Sequence, residues 1–316
     1  MIAPSEPGLG GLRGKAQIAA ALSAIEANPA SMAALLDEAY ENPKGIAIGI
    51  TGPPGAGKST LINALIAEWR KLGKTVAVLA VDPSSRTSGG ALLGDRVRMR
   101  SDPGDDGVFI RSVAARGRLG GLADIAYPAA ALLRALYDKI IIESVGVGQS
   151  ETDISTVSDT VVLCIQPASG DSLQFMKAGI AEIPDIAVVT KADMGAPATR
   201  ALADLKGALS LSHREKDAWA TECVSISLTS GGDGLGQLFA SFARHEAWLA
   251  AEGRLAARRE QQARLWVQTE ILAEFGRKGL VAASQGFFNA WENKPFAMVR
   301  RLLTEFVVVR NPGAAL

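Results

Sequence analysis

Two histidines and two cysteines are all this 316-residue chain offers as imidazole or thiolate metal ligands. Cys164 and Cys223 lie far apart, each inside a strand-like run, and His213 and His245 are scattered as well. That pattern suits neither a disulfide nor a metal pair, so the thiols read as small buried residues of a reducing compartment. Charge of one sign is also missing. Lys+Arg and Asp+Glu balance at 33 each, which gives no global attraction to nucleic acid or to an anionic membrane. No apolar run approaches the roughly 20 residues that span a bilayer, and the N-terminus shows no basic-then-apolar signal pattern. The expected location is the cytoplasm. What is present is ordinary globular composition, 48% hydrophobic, in a length that suits one large α/β domain with extensions or two domains.

The strongest local signal is Gly52-Pro-Pro-Gly-Ala-Gly-Lys-Ser-Thr60. It fits G-x-x-x-x-G-K-[ST], a loop whose amides cradle a pyrophosphate while the lysine reaches the outer phosphates. Gly45 to Thr51 ahead of it is a short apolar run of the kind that forms a buried parallel strand. After it, Leu61, Leu65 and Trp69 make a helical stripe, and Gly73 supplies a stop. Strand, glycine turn and helix N-terminus together make an anion site. Gly55, Ala56, Gly57, Lys58, Ser59 and Thr60 are therefore the expected phosphate-binding residues.

Around this loop the chain divides into three. Residues 1–43 are expected to be a helical extension, residues 44–240 a nucleotide-binding domain and residues 241–316 a helical arm. Within the middle part, apolar runs at 45–51, 75–82, 107–111, 139–145, 160–166, 186–190 and 223–228 alternate with helical ones. Such alternation predicts a mostly parallel sheet covered by helices, an α/β fold of the P-loop kind. Asp82, Glu143, Gln166, Lys191 and Asp193 stand at or just past the carboxyl ends of these runs, where ligands bind in open α/β sheets. In the C-terminal arm, Phe287, Phe288, Trp291 and Phe296 read as core packing.

Ser59 follows the loop lysine, where a hydroxyl coordinates Mg²⁺. Mg²⁺ takes few protein ligands and completes its octahedron with water and phosphate; Asp82, Asp95 and Glu143 are the candidate carboxylates. The segment Thr190-Lys-Ala-Asp193 resembles the N-K-x-D element of GTPases. A carboxylate there accepts from guanine N1–H and the exocyclic amine, a pair adenine does not present. Thr190 replaces the usual asparagine with one shorter hydroxyl, which is expected to weaken contacts to the base edge and the phosphate loop.

Five segments carry a wider resemblance: GITGPPGAGKST (49–60), VLAVDPSSRTSGGALLGDRVRM (78–99), RGRLGG (116–121), ESVGVGQSE (143–151) and PASGDSLQFMKAG (167–179). In these the chain resembles the MeaB/ArgK-type GTPases associated with methylmalonyl-CoA mutase. The resemblance implies a Mg²⁺-dependent GTPase that loads, protects and reactivates an adenosylcobalamin-dependent acyl-CoA mutase. It places Lys58 on the phosphates and Ser59 on Mg²⁺, brackets a first switch with Asp82 and Asp95, and opens a second at Glu143. Lys58, Glu143, Asp95 and Gln149 are the implied catalytic set, Gln149 as the water-positioning residue. Lys191, Asp193, Ser227 and Leu228 are implied on the guanine side. Residues 167–179, ending near Lys177, look like a third mobile segment that meets the mutase. Arg118 stands where the family has a small hydroxyl residue, and Arg116 is the first choice for an arginine that stabilises transition-state charge. A homodimer through the helical arm is expected.

Two other readings use the same loop. A nickel-delivery GTPase needs clustered Cys and His ligands, which this sequence scatters. A small-molecule kinase needs an acceptor site and a base, and no residue here can be named for either.

Overall fold

Every one of the seven apolar runs pairs into one sheet. A computed structural model describes residues 8–83, 102, 104–115, 122, 124–144, 153–168, 183–210, 218–229, 232–286, 291 and 293–310. The strands are β1 (Ile46–Thr51), β2 (Val76–Pro83), β3 (Val108–Ala115), β4 (Lys139–Glu143), β5 (Thr160–Ile165), β6 (Ile186–Val189) and β7 (Glu222–Ser225). Neighbours are all parallel, in the order β3-β2-β4-β1-β5-β6-β7. β5 is buried along its whole length, as an apolar run in a sheet covered on both faces must be.

Three strand ends differ from the sequence expectation by two residues or more. β3 continues to Ala115 because its register with β2 holds through Pro83↔Ala115. β4 stops at Glu143, its last partner in β1 being Ile50. β7 stops at Ser225: Ile226 N still donates to Val189 O, but Ser227 N turns to Asp233 O.

The described helices are α1 (Lys15–Ala27), α2 (Ala33–Glu41), α3 (Lys58–Lys71), α4 (Ala126–Leu136), α5 (Ala196–Ser210), α6 (Leu235–Ala250), α7 (Arg254–Gly286) and α8 (Pro295–Arg310). α7 breaks at Gly276, whose φ is 66°. Crossover handedness sorts them. α3 leads from β1 outward to β2, whereas α4 leads from β3 back to β4, so right-handed connections put the two helices on opposite faces. The stripe Leu61, Leu65 and Trp69 accordingly packs on Ile48, Ile50 and Val78, with Leu238 and Phe242 of α6 beside it. α4 shares the other face with α1, α2, α7 and α8 in one continuous core.

The terminal helices are tied to that core by polar bonds as well as packing. Asp37 of α2 accepts from Phe296 N (3.1 Å) and Ala297 N (2.8 Å), so its carboxylate satisfies first-turn amides of α8. Phe296 is 1% exposed, 4.7 Å from the Trp266 ring, which stacks 5.2 Å from Tyr127. Phe296 is thus core, as expected; Arg264 lies 4.6 Å over Trp291, and Phe287 and Phe288 lie outside the described residues.

At the amino edge of the sheet, Asp159 collects a buried cluster. It accepts from Ala47 N at 2.7 Å, from Arg259 Nε and Nη2 at 2.9 and 2.8 Å, and from Arg134 Nη2 at 3.3 Å. Gln262, one turn along α7, donates to Ser155 O and Ser158 O at 2.8 Å each. The helical arm is therefore pinned to the starts of β1 and β5.

Candidate nucleotide site

β1 ends in the glycine loop, and the loop's backbone does what glycine permits. Gly52, Gly55 and Gly57 have φ of 137°, 79° and 82°, conformations that a side chain disfavours. Gly52 has a second constraint, since a Cβ there would lie 2.1 Å from Cys164 O of β5. At Gly55 a Cβ would meet nothing nearer than the Gln166 amide at 3.7 Å. Gly52→Ala is therefore expected to cost about 2–3 kcal/mol in urea unfolding, against roughly 1 kcal/mol for Gly55→Ala. Equal losses would remove the close-approach argument.

α3 starts at Lys58, with Gly57 at its N-cap and no acidic residue in the first turn. Its free amides and dipole are left for an anion. Lys58, 8% exposed, bends back over the loop and donates to Gly52 O (2.7 Å) and Pro53 O (3.3 Å). Ser59 Oγ donates to Glu143 Oε1 at 3.3 Å, and that carboxylate is buried at the end of β4. Next to it, Ser144 Oγ donates to Thr51 Oγ1 at 2.8 Å. A hydroxyl and a carboxylate meeting beside a phosphate cradle are the hard oxygen donors that Mg²⁺ takes. Asp82 is the last residue but one of β2, its backbone paired to Ala114; its side chain, like Asp95, Gln149, Arg116, Arg118 and Lys177, lies outside the described residues.

The Thr190–Asp193 segment sits on the next strands over. Thr190 follows β6 and is buried; its hydroxyl donates to Ala56 O at 2.8 Å and to Ile165 O at 3.1 Å. The shorter side chain thus still makes a phosphate-loop contact. The short side chain reaches because the loop backbone comes to it, Gly57 lying within 3.7 Å of Thr190 once a Cβ is built. Lys191 takes a left-handed φ of 53°, and its Nζ donates to Gly55 O (3.1 Å) and to Gln166 Oε1 (2.5 Å). Asp193 is exposed, and Ser227 Oγ donates to its Oδ1 at 2.8 Å. That hydroxyl first, then a backbone amide, hold the carboxyl below the usual carboxylate range. Leu228 is half-buried beside them, and Ala192 N donates to Ile226 O at 3.0 Å. The geometry thus brings together Gly55–Ser59, Glu143, Lys191, Asp193 and Ser227, with Thr60 exposed on the first turn of α3.

Sequence reasoning left Gln166 without a role. It stood among the polar residues past strand ends, but nothing local tied it to Lys191, 25 positions on. The residues weighed for metal delivery lie elsewhere. His245 is buried, bonded to Thr160 Oγ1 at 2.9 Å and 3.3 Å from Asp185. Cys164 is in β5 and Cys223 in β7, and His213 lies outside the described residues. Among the described residues, no group of three His, Cys, Asp or Glu is placed to hold a metal ion, and no helix is long and apolar enough to cross a membrane.

Comparison with known proteins agrees with this geometry. A protein of Pyrococcus horikoshii, whose name proposes a GTPase, is 46% identical over 233 residues, 73% of each chain. The mitochondrial methylmalonic aciduria type A homolog of Mus musculus is 40% identical over 235 residues, 72% of this chain and 56% of that one. In three dimensions the chain is similar to a LAO/AO transport system kinase, with TM-score 0.65 and 26% identity over 95% of this chain and 96% of that one. The family model for "Methylmalonyl Co-A mutase-associated GTPase MeaB" matches residues 18–281. Glycine loop, Ser59–Glu143 pair and Lys191–Asp193 element fall inside that match, and the chain belongs to the MeaB family of methylmalonyl-CoA mutase-associated GTPases.

Proposed function

We propose that this chain hydrolyses GTP to GDP and phosphate, and that its nucleotide state gates cofactor loading, protection and reactivation of an adenosylcobalamin-dependent acyl-CoA mutase. The observation that supports the nucleotide half best is the bonding of the base element onto the phosphate loop, through Thr190 to Ala56 and Lys191 to Gly55. One rigid cradle then grips both ends of a nucleotide.

In this reading the amides of Gly55 to Thr60 hold the phosphates. Lys58 exchanges Gly52 O and Pro53 O for phosphate oxygens, a move its ammonium makes without leaving the loop. Ser59 and Glu143, with Asp82 and Asp95, would hold Mg²⁺, which when bound neutralises charge on the phosphates. Gln149 orients the attacking water, and Arg116 answers the charge of the transition state. Asp193 accepts from guanine N1–H and amine while Ser227 keeps the carboxylate ionised and aimed. Residues 44–240 act as the nucleotide unit. The helices of residues 241–316 mediate homodimerisation, and segment 167–179 meets the mutase. An order change in the switch segments when the γ-phosphate leaves is the signal to that partner. The cytoplasm is the proposed site of action.

Asp193→Asn tests the base. Xanthine carries a carbonyl where guanine carries its amine, so an amide at 193 can donate to it. GTP binding is expected to fall on the order of 100-fold while xanthosine triphosphate improves; unchanged selectivity in a nucleotide-binding assay would remove Asp193 from the site. Adding an adenosylcobalamin-dependent mutase is expected to raise GTP turnover of the wild-type chain. A phosphorylated acceptor in place of free phosphate would favour a kinase instead.

A further inference from the structure

Thr190 has one proton to give, and Ala56 O and Ile165 O share it. The amide that asparagine would bring to this corner is therefore missing from β6. The neighbouring strand supplies one. Gln166, the first residue past β5, reaches over so that its Oε1 accepts from Lys191 Nζ at 2.5 Å, while the same ammonium donates to Gly55 O at 3.1 Å. The amide nitrogen of Gln166 comes within 3.7 Å of the point a Cβ on Gly55 would occupy. Three chain segments, the phosphate loop, the end of β5 and the base element, thus meet at one lysine.

The backbone marks the same place. Four non-glycine residues with left-handed φ occur among the described residues; Lys191, at 53°, makes this contact, and Ala168, at 59°, lies two residues past Gln166. Such conformations persist where the surroundings over-determine them, and they concentrate at functional sites. Here the surroundings are the Thr190 N to Ile165 O bond at 2.9 Å and the Gln166–Lys191 bond itself.

We propose that Gln166 is a positioning residue of the nucleotide site, doing from β5 what an asparagine amide would do from position 190. It fixes the Lys191 ammonium against the phosphate loop, so that the lysine stem is already laid out before a base arrives. Pre-organisation of this kind lowers the ordering cost of binding. The effect is on how long guanine nucleotide stays and not on the chemical step. The proposal rests on the GTP-site reading above.

Release of a fluorescent GDP analogue, chased with excess GDP, is the measurement. Gln166→Leu keeps the volume and loses the acceptor; release is expected to quicken about fivefold to tenfold. Gln166→Glu keeps an oxygen at the same reach and should release at the wild-type rate. Lys191→Met should quicken release, and the double variant Gln166→Leu/Lys191→Met should be no faster than Lys191→Met alone, because the two side chains act through one bond. Gln166 is half-exposed, so nucleotide-free melting temperatures should stay level across the set. Additive rates in the double variant, or a lowered melting temperature with unchanged release in Gln166→Leu, would overturn the proposal and leave the GTP site standing. A wild-type chain that binds no GDP would overturn both.

Discussion

Lys58→Ala is expected to lower GTP turnover on the order of 10²–10³-fold. Lys58 is a buried ammonium inside the glycine loop, and its two acceptors in the structure are loop carbonyls, Gly52 O and Pro53 O. Those carbonyls do not need a cation to fold. Backbone oxygens at a loop edge can turn to water, so the lysine is held in reserve for a stronger acceptor. In the proposed reading a terminal phosphate is that acceptor: charge-assisted bonds are about twice as strong as neutral ones, and the charge they meet grows along the reaction path. Alanine removes the ammonium without touching the left-handed glycines or the Thr190 bond to Ala56, so melting should change little. Single-turnover hydrolysis with purified protein is the check, and near wild-type turnover would end the assignment of Lys58 to the phosphates.

Asp159→Ala should cost the fold about 3–5 kcal/mol, the range for breaking a buried ion pair from one side. Without Asp159, Arg134 and Arg259 would face each other with no carboxylate between them, and Arg134 is only 4% exposed. Ala47 N would lose its acceptor at the start of β1 as well. With total stability commonly 5–15 kcal/mol, urea denaturation should show the loss plainly. A change below 1 kcal/mol would mean that solvent reaches the cluster.

The same residue predicts an acid limb. Burial pushes the Asp159 carboxyl up, but Arg134, then Arg259 and the Ala47 amide, more than offset it and hold it at about 2. An unfolded aspartate titrates near 3.9. The folded value is the lower one, so the contribution is complete above about pH 5 and disappears as pH falls toward 2. Its size is roughly 2–3 kcal/mol, and Asp159→Ala should flatten that part of the stability–pH curve.

The parts of this molecule that are readable in one dimension are those with short-range causes. An apolar run such as 160–166 reads as a strand because β5 is covered on both faces, and the Leu61, Leu65, Trp69 stripe reads as a helix because one face of α3 meets the sheet. The glycine loop is legible because close backbone approach to a phosphate needs glycine at fixed spacing. Strand ends were less so. β3 runs on to Ala115 because its neighbour β2 extends to Pro83, a fact stored in another segment.

Thr190 shows the limit most directly. As a substitution for asparagine it read as a loss, yet its hydroxyl bonds Ala56 O, 134 positions away. Gln166 read only as a polar residue at a strand end until Lys191 was placed beside it, and Asp159 gained Arg259 across 100 positions of chain. The sequence by itself determined the strand–loop–helix unit and the family, because each is written in contiguous residues with local backbone demands. Tertiary structure decided which groups complete the site and what pins the terminal helices. Those pairings depend on strand order and on the hand of the crossovers, and neither leaves a mark within any one stretch of chain.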